Sequence, residues 1–366
     1  MQVRIAPIQM NPLQPDAVEI VDQRWLPHRV EVVRITRWED AATAIRDMWV
    51  RGAPLIGVTA AWGLYLAARQ AQAAPDPDGY LDHARHALLA TRPTAVNLAW
   101  AIGQSWEAMA QVSALSAKIQ AAADTAARLA REDAAACYAI GGAGLALIQA
   151  CYARTGRPVQ ILTHCNAGRM ACIEWGTATA PMYRAHLAGI PIHVWVDETR
   201  PRNQGAHITA WELAEAGIPH TVIPDNAGGH LMQHGQVDLC LVGTDRVARN
   251  GDVANKIGTY LKALAAADNG VPFYVAFPVS TLDTACEDGL RDIPIEERSP
   301  AEVSWVQGWD RETQSVRQVL ITPPDSPAAN PAFDVTPARM VTGYLTEYGL
   351  FEGGKTGITA LMSRIS

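Results

Sequence analysis

The chain reads as an α/β protein, with a mainly helical N-terminal domain followed by a doubly wound parallel sheet. Two textures predict this. From residue 80 to residue 150, Ala-rich segments carry apolar residues at helical spacing with few β-branched runs. Beyond Thr155-Gly156-Arg157-Pro158, short apolar runs alternate with helical stretches, the pattern of parallel βαβ units. With 366 residues, 49% of them hydrophobic, the chain is long enough for two cores. The boundary is expected near residues 125–140, giving domains 1–130 and 131–366.

In chain order, the first thirty residues are rich in Val, Ile and Pro and suit short strands and turns. Residues 38–49 and 53–72 have helical patterning, and Pro75-Asp76-Pro77-Asp78-Gly79 is a loop. Helices continue from 80 to 150. Strands are expected at 159–163, 192–196, 221–224, 239–243 and 272–277. The polar, Pro-rich stretch 310–331 predicts an extended excursion before a final helix near 337–348. Gly141-Gly142-Ala143-Gly144 lacks both the G-x-G-x-x-G spacing and a preceding strand, so it is no dinucleotide loop.

Several function classes are disfavoured. A net charge of −7 argues against nucleic acid or an anionic membrane as the main partner. The uncharged apolar stretch 53–68 is shorter than a membrane span and interrupted by Pro54, Gly57, Thr59 and Gly63. Residues 1–10 show no secretory pattern, so a soluble, cytoplasmic protein is expected. The six cysteines lack paired spacing, which indicates neither a zinc site nor a disulfide framework. No cofactor fingerprint is present, and neither a cofactor nor a metal is expected.

Ligands of doubly wound sheets bind at the carboxyl ends of the strands. Here those ends carry THCNAG, VDETRPRNQG, PDNAGG, GTDRVARNGD and FPVSTLD, which together mark a site. Cys165 falls where a strand is expected to yield to a helix, whose dipole would lower the thiol pKa. Position alone leaves it between an acid/base thiol and a buried filler. His164 is expected to be structural. Asp245 follows an apolar strand, where desolvation raises a carboxyl toward the range of a general acid; its bland alternative is pairing with Arg246 or Arg249. Asn255 and Lys256 are expected in the first turn of a helix, a suitable phosphate seat. Arg51-Gly52-Ala53 offers a cation beside a close-approach glycine, and Arg92 a further cation held by Pro93.

These loops closely resemble the S-methyl-5-thioribose-1-phosphate isomerase family. The matching stretches are RGAPLIGVTAAWG, TRPTAVNLAWA, ILTHCNAG, DETRPRNQGAHITAWEL, GTDRVARNGDVANKIGTYLKALAA and PIEERSP, in family order. Relatives include ribose-1,5-bisphosphate isomerases and regulatory subunits of a translation-initiation exchange factor. The resemblance implies a Rossmann-like C-terminal domain, a homodimer, and aldose–ketose isomerisation of a small sugar phosphate in methionine salvage. It makes Cys165 and Asp245 the catalytic pair and places the substrate against Arg51, Gly52, Ala53, Arg92, Gln204, Asn255 and Lys256. Alternatives are another pentose 1-phosphate (5-deoxyribose 1-phosphate or ribose 1,5-bisphosphate) and a non-catalytic regulatory subunit. Trp62 and Trp100, inside matched motifs, favour an apolar 5-substituent. The chain departs from the family at Ala167, Arg169, Met170 and Cys172, and at Glu174-Trp175. Arg169, one helical turn beyond Cys165, is expected to pair with Glu174 or to alter the local field.

Overall fold

A computed structural model describes residues 5–11, 14–92 and 95–365. The N-terminal part opens with a three-stranded antiparallel sheet (Ile8–Met10, Val18–Val21, Val32–Ile35). The helices Trp38–Arg46, Ala53–Gln70, Pro77–Leu89 and Val96–Ala110 follow. Ala53–Gln70 is apolar on nearly every face and therefore sits at the centre, with Leu55, Leu64 and Leu66 buried against Leu88, Leu98 and Ile102.

The helix Leu115–Thr155 joins the two parts, so the boundary expected at residue 130 falls inside one continuous helix. Its first half contributes Ala122, Ala126 and Leu129 to the N-terminal core, and its second half contributes Ile140, Ile148 and Cys151 to the next. This helix is long and apolar enough to cross a membrane by length and composition. A left-handed Gly156 ends it.

The C-terminal part is a seven-stranded sheet in the order Gly349–Glu352, Gly343–Thr346, Phe273–Ala276, Leu239–Val242, Val159–Thr163, Ile192–Asp197, His220–Ile223. All neighbours are parallel except the edge pair formed by the first two. The chain enters at the interior strand Val159–Thr163, winds outward to His220–Ile223, then returns to the central strand Leu239–Val242 on the opposite side. The sequence direction therefore reverses between these two strands, and a crevice opens at their carboxyl ends.

Two expectations for the C-terminal region are revised. The extended excursion is confined to residues 321–330; before it, Trp305–Asp310 and Ser315–Leu320 pair as an antiparallel hairpin. The helix expected at 337–348 is instead the strand Gly343–Thr346, and the final helix is Lys355–Ile365. Tyr344 and Leu345 are fully buried between the sheet and its covering helices, and burial on both faces overrides the local helical pattern.

Candidate active site

Cys165 follows the strand Val159–Thr163, and Asp245 follows Leu239–Val242, so the two emerge side by side at the crevice. Both line a narrow cavity of about 50 Å³. Arg51, Gly52, Ala53, Arg92, Gln204, Asn255 and Lys256 line the same cavity, drawn from both parts of the chain. Such a space holds a water or two and is far below the usual ligand pocket, so the walls must part to admit a ligand of ordinary size. Through Met48, Arg51 and Gln204 it adjoins a wider cavity of about 340 Å³ beneath the hairpin residues Trp305, Gln307 and Gln318.

The helix expected after Cys165 is absent; only a short turn, Arg169–Ala171, precedes Thr179–Leu187. A helix dipole therefore does not act on the thiol. Cys165 itself has φ +66°, a left-handed conformation costly for a residue with a Cβ. Its N–H donates to Thr199 Oγ1 at 2.8 Å, and its carbonyl accepts from Thr209 Oγ1 at 2.7 Å. Thr199 is left-handed too, as are Met48 and Asn203 on the cavity walls. Backbone strain thus gathers around this crevice.

Cys165 is the one cysteine that is not fully buried. Burial nonetheless pushes its thiol up from the ordinary value, while the Arg51 guanidinium and Lys256 ammonium pull it partly back. The sequence led to the opposite expectation, a depressed thiol, because it supplied a dipole and no desolvation. Asp245 is also raised: burial dominates over the attraction of Lys256, Arg92 and Arg51. Burial lowers Lys256, against the raising pull of Cys165 and Asp245. Thiol, carboxyl and ammonium form one coupled set in which protonation of any member shifts the others.

Asn255 and Lys256 lie on the strand Val253–Lys256, not in the first turn of a helix. A tight antiparallel hairpin pairs Arg246 with Ala254, and the Asp245 N–H donates to the Ala254 carbonyl at 3.0 Å. This hairpin, rather than a helix end, brings the carboxyl and the ammonium together. Lys256 rests over the Phe333 ring, 4.7 Å from its centroid. Asn255 Nδ2 donates to Thr259 Oγ1 at 3.0 Å. Arg246 pairs with Asp283 and Arg249 with Glu287, which leaves Asp245 out of the surface pairing its neighbours make.

On the opposite wall, both Arg51 terminal nitrogens donate to Asn166, one to its side-chain oxygen and one to its carbonyl. Gly52 caps the helix Ala53–Gln70 at φ +99°, and a Cβ there would lie 2.5 Å from the Ala171 Cα. Glycine alone allows the Arg51 turn and the loop after Cys165 to touch. Free N–H groups at this helix start and the nearby cations suit a phosphate. Arg92 is buried and paired with Glu296 at 2.9 Å, while its buried Nε has no partner among the described residues and remains as a donor. Pro93, expected to hold it, lies outside the described residues. The Gln204 side-chain oxygen is likewise buried without a partner.

His164, expected to be structural, and several residues not singled out from the sequence complete the frame. His164 bridges Asp197 Oδ2 and the Ile257 carbonyl, each at 2.8 Å, tying three strand-end loops together. Asn166 and Thr199 stood inside quoted motifs, and Glu296 inside PIEERSP, so motif membership was the available signal. Arg169 does not pair with Glu174: its guanidinium meets Glu215 and the Ile5 carbonyl and lies over Trp211. Neither Trp62, in the N-terminal core, nor Trp100, on a separate cavity, lines the crevice.

Comparison with known proteins assigns the lineage. Residues 49–353 match the Initiation factor 2 subunit family. The chain is 56% identical over 348 residues to the methylthioribose-1-phosphate isomerase of Sinorhizobium medicae, covering 94% of each chain. It is 55% identical over 344 residues to the enzyme of that name in Paramagnetospirillum magneticum, covering 94% of this chain and 93% of the other. Among solved structures it resembles the 5-methylthioribose 1-phosphate isomerase of Pyrococcus horikoshii, with a TM-score of 0.83, 36% identity, and 99% and 97% of the two chains covered. It also resembles the translation initiation factor eIF-2B subunit delta of A. fulgidus (TM-score 0.77, 36% identity, 95% and 96% covered).

Proposed function

We propose that this chain, which belongs to the Initiation factor 2 subunit family, converts S-methyl-5-thio-α-D-ribose 1-phosphate into S-methyl-5-thio-D-ribulose 1-phosphate in methionine salvage. Full-length relatives above 50% identity bear that enzyme's name. The observation that carries the chemistry is one narrow cavity in which a thiol and a carboxyl face Arg51, Arg92 and Lys256.

The phosphate ester locks the anomeric carbon, so the C1–ring oxygen bond must break and the ring oxygen must take a proton. Burial raises the Asp245 carboxyl above its ordinary range, which suits it as that donor. Hydrogen then passes from C2 to C1 while the 2-hydroxyl loses its proton to give the ketone. In one route the Cys165 thiolate, supported by Arg51 and Lys256, removes the C2 proton; an enol phosphate forms and is reprotonated at C1. In the other, hydride moves directly from C2 to C1 while Cys165, as thiolate, takes the 2-hydroxyl proton. The phosphate rests against Arg51, Gly52, Ala53, Arg92 and Lys256, with Asn255 and Gln204 orienting the sugar.

Turnover in heavy water separates the routes: deuterium at C1 of the product supports the enol, and its absence removes that route. Following methylthioribose 1-phosphate, 5-deoxyribose 1-phosphate and ribose 1,5-bisphosphate side by side tests the substrate; faster conversion of either of the last two would overturn the assignment. The acting form is a cytoplasmic homodimer, to be checked by light scattering of the purified chain and by fractionation.

A further inference from the structure

Behind the catalytic loop, the fold gathers three ligand-type side chains that the isomerisation does not use. Asp133 and Cys137 stand four residues apart on the helix Leu115–Thr155, on one face of it. Cys172 closes the Arg169–Ala171 turn and meets them there. One oxygen of Asp133 and the two sulfurs all lie within 4.8 Å of one another. Cys137 shares a hydrogen bond with Cys172, and Asp133 Oδ2 accepts the Ile173 N–H at 2.9 Å, which orients the carboxyl. Ala171 and Trp175 pack around the sulfurs.

No salt bridge reaches Asp133 among the described residues. Burial and the nearby Glu347 push its carboxyl up to about 7. The hydrogen bond to Cys172, then burial, then Asp133 raise the Cys137 thiol as well. One divalent ion would be held by all three donor atoms at once, in place of their protons. Access exists: Asp133 also lines a separate cavity of about 370 Å³, beside Glu132 and Glu347.

We propose that Asp133, Cys137 and Cys172 form a site for one zinc ion, which fastens the catalytic loop to the long helix. Two sulfurs and one oxygen are zinc-type donors and suit calcium or magnesium poorly. Tetrahedral bonds of about 2.3 Å to sulfur and about 2.1 Å to oxygen need donors roughly 3.5–3.8 Å apart, within reach of small side-chain rotations. A water from the adjoining cavity takes the fourth position, and binding releases the thiol protons and any carboxyl proton. Cys172 follows directly on Ala171, the residue against which Gly52 packs, so the ion stiffens the wall of the substrate seat.

The test uses the full chain carrying Cys165→Ser, which removes the catalytic thiol as a competing ligand, after metal is stripped with a chelator. Titration with zinc is expected to show one equivalent bound with proton release, and cobalt to give thiolate-to-cobalt charge-transfer absorption. Adding Cys137→Ala or Cys172→Ala should weaken zinc at least tenfold and abolish that absorption. Asp133→Asn, which keeps both thiols and the bond from Ile173, should weaken zinc while retaining the absorption. Melting curves without metal confirm that each variant is folded. Absence of a stoichiometric zinc equivalent, or unchanged affinity and spectrum in the two cysteine variants, would overturn the proposal.

Discussion

Two buried thiol environments flank the loop from Cys165 to Cys172, and their difference is instructive. Both are desolvated, and in both the thiols are raised from their ordinary value. Cys165, however, faces Arg51 and Lys256, whereas Cys137 has Asp133 and a second thiol beside it. Burial alone makes a thiol inert; cations on the opposing wall make it usable at low dielectric cost. The first environment suits acid–base work on an anionic sugar, and the second suits a cation.

The largest expected effects separate the two directly. Cys165→Ser and Asp245→Asn should each lower kcat by on the order of a hundredfold or more, the usual scale for a lost acid–base group. Cys137→Ser should lower it by less than about tenfold. Comparable losses at Cys137 and Cys165 in steady-state assays would erase the distinction.

Next comes the contact between the seat and the loop. Gly52→Ala introduces a Cβ 2.5 Å from the Ala171 backbone at φ +99°, and should reduce kcat/KM roughly tenfold or more while the chain stays folded by circular dichroism. Arg92→Ala should act mainly on KM, raising it roughly tenfold, as loss of one charge-assisted hydrogen bond to phosphate does. A fall confined to kcat would move Arg92 from binding to chemistry.

Lys256→Met tests the cation itself. Lys256 lowers the Cys165 pKa, so its removal should raise that pKa further. The limb of the pH–rate profile that reports the thiol should move to higher pH, and the rate at pH 7 should fall. An unmoved limb would detach Lys256 from the thiol.

The smallest effect concerns stability at the other end of the loop. Asp133 titrates at about 7 in the fold and near 3.9 when unfolded. Its neutral form therefore favours folding fully below about pH 4, and that contribution is lost as pH rises through about 7. In metal-free protein, Asp133→Asn should melt close to wild type at acid pH and above it at pH 8. Parallel melting curves across that range would show that Asp133 is not desolvated as described.

Local pattern gave good guidance wherever one face or one run decides the element. Ala53–Gln70, apolar all round, and the Val- and Ile-rich strands Val159–Thr163 and Ile192–Asp197 were legible because burial and backbone preference agree there. Gly343–Thr346 was not, since pairing with Phe273–Ala276 and Gly349–Glu352 makes it part of a sheet. The same holds for Val253–Lys256: its residues were legible as a binding group, but their backbone was not. Hairpin pairing with Arg246–Ala248 overrides the helical pattern that begins just beyond, at Thr259.

By itself the sequence determined the chemical inventory: a thiol, a carboxyl, an amide and three cations in Gly- and Pro-framed motifs, ordered along a βαβ chain. Those are properties of residue types and spacing, which need no partner to be read. Tertiary structure alone decided the electrostatics. Whether Cys165 feels a helix dipole or two opposing cations depends on groups brought across the crevice from Arg51 and Lys256. So does the meeting of Asp133 and Cys137 with Cys172. Coulomb and desolvation energies follow distance in space, and distance along the chain does not report it.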